Sequence, residues 1–396
     1  MRIGMLLDAV FPPDPRVENE ALTLIEAGHE VFLFCLHYGN QKENEQIKGI
    51  QVRRYLSNKF EYKMSALVYT FPFYKNRMSK KIKNFLKNNS IEAIHIHDIQ
   101  IASAAYKAIQ GSKISVVLDL HENRPEIMKF YPHVQKFPGK YLIQPFAWKK
   151  QEQIFVEIAT YTIVVTVEAK KELLLRSSVD ETSVVVLPNT VRESFYNKAT
   201  NNSEIIEKYK NDFVLLYLGD TGLRRGLLTA IESIVALKKT ITNIKLVVVG
   251  KSSSDVVLKK NVEELGLEKY VDFVGWQDVS LFPSYINAST ICISPLHRNL
   301  HHDTTYANKI FQYMSFGKPL LVSDATAQKS IIERAQSGLV HKEKDSIDFT
   351  EKVLKLASDE KLRTQMGANG RVFIEKKFSW EQTSKNLVHL YNNLTF

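Results

Sequence analysis

The chain has 396 residues, 44% of them hydrophobic and 24% charged, an ordinary globular composition that excludes collagenous, coiled-coil and disordered classes and suits two or three domains. Its 53 Lys and Arg against 43 Asp and Glu leave a formal charge of +10, a balance that calls for an anionic partner: nucleic acid, a phosphorylated small molecule or an anionic membrane. The excess is local. Residues 53–87 hold ten Lys/Arg and one acid, Glu61, residues 127–151 hold five Lys and no acid, and the remainder nets −4.

Short β-branched runs alternate with helix-period segments along the chain, the pattern of parallel sheets with crossover helices. The opening run MRIGMLLDAV has no small-residue cleavage site and is expected as a strand, not a signal peptide. Strands are expected at residues 3–7, 31–36, 50–55, 93–97, 115–120, 162–166 and 183–187. Between the first two, Val17, Ala21, Leu24 and Ile25 share one face of a helix over 16–27, stopped by Gly28. Residues 1–191 therefore form one α/β domain, and 192–212, containing NKATNN and no strong period, read as a linker. A second α/β domain over 213–378 has strands at 213–218, 244–249, 271–274, 290–294 and 319–323, with helices at 226–238, 255–265 and 307–316. The segment 379–396 starts on a Ser cap and carries Trp380, Leu387, Leu390 and Leu394 at helical spacing, so it needs a surface to cover. Cys35 and Cys292 sit in apolar runs and are expected as buried thiols in a reducing compartment. The apolar stretch 64–74 is about half the length of a membrane-spanning helix.

Three segments carry chemistry. In YLGDTGLRRGLLTAIESI, residues 217–234, a strand ends at Gly219, a loop holds Gly222, Arg224 and Arg225, and Gly226 opens a helix. Free N–H groups, the positive end of a helix dipole and two guanidinium forks then converge on one point, which suits a diphosphate; an ordinary βα turn with solvated arginines would read the same way. In KIFQYMSFGKPLLVS, a helix showing Lys309 and Gln312 on its polar face stops at Gly317, and a strand follows. In the first half, HIHD (95–98) and DLHEN (119–123) each end a strand, at the sheet edge where open α/β sheets bind ligands.

Taken in order, these segments resemble glycosyltransferase family 4, the retaining nucleotide-sugar transferases of GT-B fold. The family shows G-R-x-x-x-x-K-G after a strand and later E-x7-E-A-M-A-x-G-x-P. Gly219, Arg225 and Gly226 match the first pattern with Arg replacing Lys, while Asp220 stands at the usual Arg. Met314, Gly317 and Pro319 match the second, with Gln312 and Thr304 at its two Glu positions. FPPDPRVENEALTLIEAGHEV looks like the family's opening segment. The resemblance implies two Rossmann-like domains facing a cleft, with the last helix crossing back to the first domain. It implies that His121 is the active-site histidine and that Arg225, with Arg224, neutralises the leaving diphosphate. Arg16, Gly219, Gly222, Gly250, Thr304, Asn308, Lys309 and Gln312 fall on the donor side, Gln312 holding the ribose. His97, Asp98 and Glu122 fall on the acceptor side. No Asp-x-Asp metal pair is visible, so no metal and no cofactor are expected, only a UDP- or GDP-sugar as substrate.

The basic stretch 53–87 also contains eight Phe/Tyr, and Met78, Ile82, Phe85 and Leu86 share a helical face ringed by Lys80, Lys81, Lys83 and Lys87. This predicts an interfacial helix on anionic lipid, with residues 127–151 as a second contact, and hence a cytoplasmic protein peripheral on the inner face of the plasma membrane. The acceptor is then a glycan or lipid-linked. Two rivals stand beside a transferase: a nucleotide-sugar epimerase of the same architecture and a basic nucleic-acid-binding protein, the latter disfavoured by the absence of a recognised module. Asp220, Thr304 and Gln312 leave open a transferase that binds its donor without turnover.

Overall fold

The computed structural model describes residues 1–394, which divide into two compact α/β units: one of Met1–Pro188 joined by the segment from Ser384 onward, the other of Asn189–Thr383.

The first unit is built on an eight-stranded sheet of order β3-β4-β2-β1-β5-β6-β7-β8. Its strands are β1 (Arg2–Val10), β2 (Glu30–His37), β3 (Asn44–Ile47), β4 (Ile50–Leu56), β5 (Ala93–His97), β6 (Ser115–Leu120), β7 (Tyr161–Val164) and β8 (Val184–Val186). All pairings are parallel except β3 with β4. That hairpin edge is unexpected because the polar NEQI of β3 has no apolar run to announce it. The chain order reverses between β1 and β5, so the ligand edge of this sheet lies at the ends of β1, β5 and β6. The helix Pro15–Glu26 starts where Asp14 accepts a hydrogen bond from the Val17 N–H and Pro15 pre-sets the first turn. It ends before Gly28, whose φ of +90° is a left-handed conformation that glycine adopts without strain.

The second unit has six parallel strands, β11-β10-β9-β12-β13-β14: β9 (Phe213–Leu218), β10 (Ile244–Val249), β11 (Val271–Gly275), β12 (Ile291–Ser294), β13 (Leu320–Ser323) and β14 (Gly338–His341). The switch point is between β9 and β12. Alternation decides which way each side chain faces: Leu216 and Leu218 pack with Phe311 and Met314, while Leu215 and Tyr217 pack with Ile231 and Phe349. Residues 192–212 are part of this unit's structure. They carry helices Glu193–Asn197 and Ser203–Tyr209, with Tyr196 and Tyr209 in the core. The terminal segment is two short helices, Trp380–Thr383 in the second unit and Lys385–Asn392 in the first.

The interfacial-helix expectation needs correcting. In helix Phe73–Asn88, Met78, Ile82 and Phe85 are fully buried and Leu86 nearly so, because this face closes over the sheet rather than facing outward. Glu61 is buried against Arg77 and Lys81, so part of the local positive charge is spent on it. The exposed apolar side chains are others: Phe60, Tyr62, Phe71 and Phe73, with Phe137, Tyr141 and Phe146 from the second basic stretch. The Thr70 hydroxyl donates to the Leu142 carbonyl at 2.6 Å, so the two stretches adjoin. Among the described residues no helix is long and apolar enough to cross a membrane. Cys35 and Cys292 are buried and free, as expected.

Candidate active site

In the first unit, period-2 alternation puts His95 and His97 on one face of β5, and Asp119 and His121 line up the same way at the end of β6. Helix Pro15–Glu26 supplies Arg16 and, one turn on, Glu20. Arg16 grips Asp119 in a fork, Nη2 donating to Oδ1 at 2.6 Å and Nε to Oδ2 at 3.0 Å. Its Nη1 donates to the Leu187 carbonyl at 3.2 Å, and its Nε lies 3.0 Å from Glu20 Oε1. Arg16, expected on the donor side, is thus 4% exposed with its guanidinium committed inside the unit.

His121 Nε2 lies 2.9 Å from Asp119 Oδ2 and 3.0 Å from His97 Nδ1. Burial works against charging this ring, but the Asp119 carboxylate outweighs it and raises the His121 pKa to about 9. His121 is the member of the group that keeps contact with the surface, its side chain 20% exposed. His97 is fully enclosed; burial first and His95 second push it down to about 4, so it is neutral. Burial opposes the charge on Asp119 too, yet Arg16 and His121 hold its pKa well below the carboxylate range. Glu20, His95, His97 and Asp119 present ligand atoms within 4.8 Å of one another. The cation of that group is already there: the guanidinium of Arg16, bonded to both Asp119 oxygens.

Asp98 and Glu122 stand at the ends of the same strands. Asp98 has φ +69° and ψ 155°, a backbone that non-glycine residues seldom adopt, and Arg124 lies 3.9 Å from it and 3.2 Å from Glu122.

The second unit builds a different site. β9 ends at Leu218, Gly219 (φ +114°) and a single 3₁₀ turn Leu223–Arg225 follow, and Gly226 (φ +77°) leads into helix Leu227–Leu237. A Cβ on Gly226 would sit 1.7 Å from the Pro295 carbonyl oxygen, and one on Gly250 1.9 Å from the Gly219 carbonyl oxygen. Both glycines are therefore conditions of the loop's close packing. Asp220 organises the loop: it accepts from the Gly222 N–H and from Arg225 Nε, each at 3.3 Å, and Arg224 Nη2 is 3.8 Å away. Arg224 Nη1 donates to His302 Nε2 at 2.8 Å. A guanidinium cannot accept, so the His302 proton sits on Nδ1, 2.7 Å from the His297 carbonyl. Burial and the two arginines keep His302 neutral, its pKa pushed down to about 3.

Lys309 differs from its sequence reading. It is buried (8% exposed) instead of lying on a polar helix face, its Nζ is 3.3 Å from the centre of the Tyr217 ring beside Gly219, and that Nζ has no hydrogen-bond partner. Burial, reinforced by Arg225, pulls its pKa well below the usual ammonium value. Of the other donor-side candidates, Asn308 is exposed and Gln312 half-buried on helix Lys309–Ser315. Thr304 is buried, its hydroxyl donating to the Leu300 carbonyl at 2.7 Å. Sequence reasoning did not weigh Glu20, Tyr217, His301 or His302. The Arg16-Glu20 spacing of one helical turn was the available signal for the first of these.

Two doubly wound units, each with its polar groups at the strand ends of a switch point, define a GT-B glycosyltransferase architecture. Residues 16–195 match the family described as Glycosyltransferase Family 4 and residues 198–373 the one described as Glycosyl transferases group 1. The chain belongs to the family 4 glycosyltransferases. It is 24% identical over 249 residues to the capsular polysaccharide biosynthesis glycosyltransferase CapM of Staphylococcus aureus, a match covering 61% of this chain and 63% of that relative. Among solved structures it is similar to sucrose-phosphate synthase from Thermosynechococcus elongatus (TM-score 0.79, 16% identity, 99% and 98% of the two chains). It is also similar to Anabaena HepE in complex with UDP (TM-score 0.74, 14% identity, all of both chains).

Proposed function

We propose that the protein transfers a sugar from a UDP- or GDP-sugar to a hydroxyl of a glycan or lipid-linked acceptor in cell-surface polysaccharide synthesis, with retention at the anomeric carbon. The observation that carries this reading is Lys309: a buried amine without a hydrogen-bond partner, next to Gly219 and in the field of Arg225. Such an amine becomes a cation when a ligand supplies the anion, and a diphosphate then fits Lys309, Arg224 and Arg225. Anabaena HepE has been solved with UDP-glucose.

In the reaction, the bond from the anomeric carbon to the diphosphate oxygen breaks and its electron pair leaves with the phosphate. The acceptor oxygen bonds to that carbon from the same face, and its proton passes to the departing phosphate oxygen. Arg225, with Arg224 and Lys309, stabilises the charge that grows on the leaving group, the role a metal takes in other transferases. His121, charged through Asp119 and open to the surface, donates to an oxygen of the sugar or acceptor. Asp98 and Glu122, with Arg124, form the acceptor side.

The acceptor is brought from an anionic membrane on the cytoplasmic face, where the protein docks through Phe137, Phe146, Tyr141, Phe60, Tyr62, Phe71 and Phe73 among Lys59, Lys63, Lys136, Lys140 and Lys150. Exposed aromatics interleaved with lysines support this, each basic residue adding about 1 kcal/mol near an anionic surface. Flotation with anionic and neutral vesicles tests it: Phe137→Ser with Phe146→Ser should release the protein, and failure to bind either vesicle would remove the docking.

Thermal-shift screening against UDP-, GDP-, ADP- and CMP-sugars, followed by product analysis with and without a lipid-linked acceptor, tests the reaction. A donor that raises Tm and is consumed only with acceptor supports transfer. Isomerisation without acceptor would make the protein an epimerase, and no response to any donor would end the reading.

A further inference from the structure

Tyr391, on helix Lys385–Asn392, is fully packed inside the first unit, and its hydroxyl is 3.0 Å from His95 Nδ1. The opposite edge of that imidazole, Nε2, is 3.2 Å from Glu20 Oε2. The other Glu20 oxygen lies 3.0 Å from Arg16 Nε, Arg16 forks onto Asp119, and Asp119 meets His121. Every link but the last ring is buried: Glu20, His95 and Asp119 at 0% exposure and Tyr391 at 1%. The sequence thus joins four separated elements, the first helix, β5, β6 and the terminal helix, through polar atoms in a place where an unpartnered one is costly.

Burial lowers the His95 pKa, but Asp119 and Glu20 outweigh it and raise it; in the neutral form of this ring the donors and acceptors fit one order. The Arg16 guanidinium can only donate, and its single Nε proton goes to Asp119, so Glu20 meets it as an ion pair. His95 Nε2 faces the Glu20 carboxylate and carries a proton. His95 Nδ1 then accepts from the Tyr391 hydroxyl, which burial keeps protonated, its pKa well above the usual phenol value.

We propose that Tyr391, His95 and Glu20 are positioning residues for His121: through Arg16 and Asp119 they fix the direction of its ring and keep a proton on the nitrogen that faces Asp119. The terminal helix is thereby part of the site's machinery as well as a cover for the core. That His121 serves a glycosyl transfer rests on the reading above; the positioning chain itself does not. The charged and titratable groups facing His121 are Asp119, Arg16, His97, Asp98 and Glu122, with Glu20 and His95 behind them. Removing the Glu20 charge leaves Arg16 less compensated. Removing the Tyr391 hydroxyl leaves His95 Nδ1 an orphan acceptor that takes a proton of its own. Either change adds positive charge near His121 and lowers its pKa.

The test is an NMR titration of the histidine rings in the full-length protein, with the His121 signal assigned by its loss in His121→Gln. The His121 midpoint should fall by about one unit in Glu20→Gln and about half a unit in Tyr391→Phe, with the amide fingerprint retained. Tyr391→Phe keeps the buried ring, so it reads the chain even if Glu20→Gln does not fold. An unchanged His121 midpoint in folded Tyr391→Phe overturns the proposal. In turnover assays the basic limb of the kcat profile should move with the midpoint while KM for the donor stays within about twofold. Shifted midpoints without turnover on any donor would instead overturn the transferase reading and leave the positioning chain standing.

Discussion

In the first unit, Arg16, Glu20, Asp119 and His121 answer one another's charge within a few ångströms, and only His121 reaches the surface. In the second, Arg224 and Arg225 gather around one carboxylate, Asp220, and the Lys309 amine beside Gly219 has no hydrogen-bond partner. The contrast separates a buried cluster whose opposite charges face one another, suited to aiming a ring, from one with an excess of cations, which on the proposed reading a diphosphate completes. It also explains why one histidine is driven up, to about 9, and another down, to about 3. His121 faces a carboxylate that outweighs its burial, while burial lowers His302 and the two arginines add to it.

The contrast can be broken first at the backbone. Gly226→Ala places a methyl 1.7 Å from the Pro295 carbonyl at φ +77°, so the second unit should lose about 3 kcal/mol or more, read as a drop in urea midpoint. Next, Arg225→Ala should leave circular dichroism unchanged while lowering turnover about 100-fold or more; full activity would remove the diphosphate assignment. Third, Lys309 is depressed when the site is empty, and a bound diphosphate restores its charge. UDP binding should therefore take up protons and weaken as pH rises, seen by calorimetry in buffers of different ionisation enthalpy, and Lys309→Met should abolish the uptake.

A smaller effect is expected in the first unit. The His121 pKa is raised from about 6.5 in the unfolded chain to about 9. Its stabilising contribution is therefore complete below about pH 6.5 and lost as pH rises through about 9. The gap in urea midpoint between the wild type and His121→Gln should be widest near pH 6 and close above about pH 10. Smallest of all, Thr304→Val should change donor affinity less than about twofold, since its hydroxyl bonds the Leu300 carbonyl. A larger loss would return Thr304 to the sugar.

Much of the outline was legible in the residues. β5, β6, β9 and β10 lie where their β-branched runs predicted, and period-2 alternation brought the strand-end histidines and acids to one face. β3 and β14 escaped because edge strands need little hydrophobic signal. The basic helix was misread because its apolar stripe fits a core as well as a lipid surface, and periodicity cannot tell them apart.

By itself, then, the sequence determined two α/β units, the positions of the loop glycines and the groups able to meet a diphosphate, because these follow from local period, backbone freedom and charge. The tertiary structure decided which of those groups are spent on one another. Arg16 was turned inward onto Asp119 and Glu20, Lys309 was sealed beneath Gly219, and Tyr391 was carried from the far end of the chain to His95. The pairings of Arg16 with Asp119 and of Tyr391 with His95 join residues 103 and 296 positions apart, and what selects them is the cost of burying a polar atom without a partner.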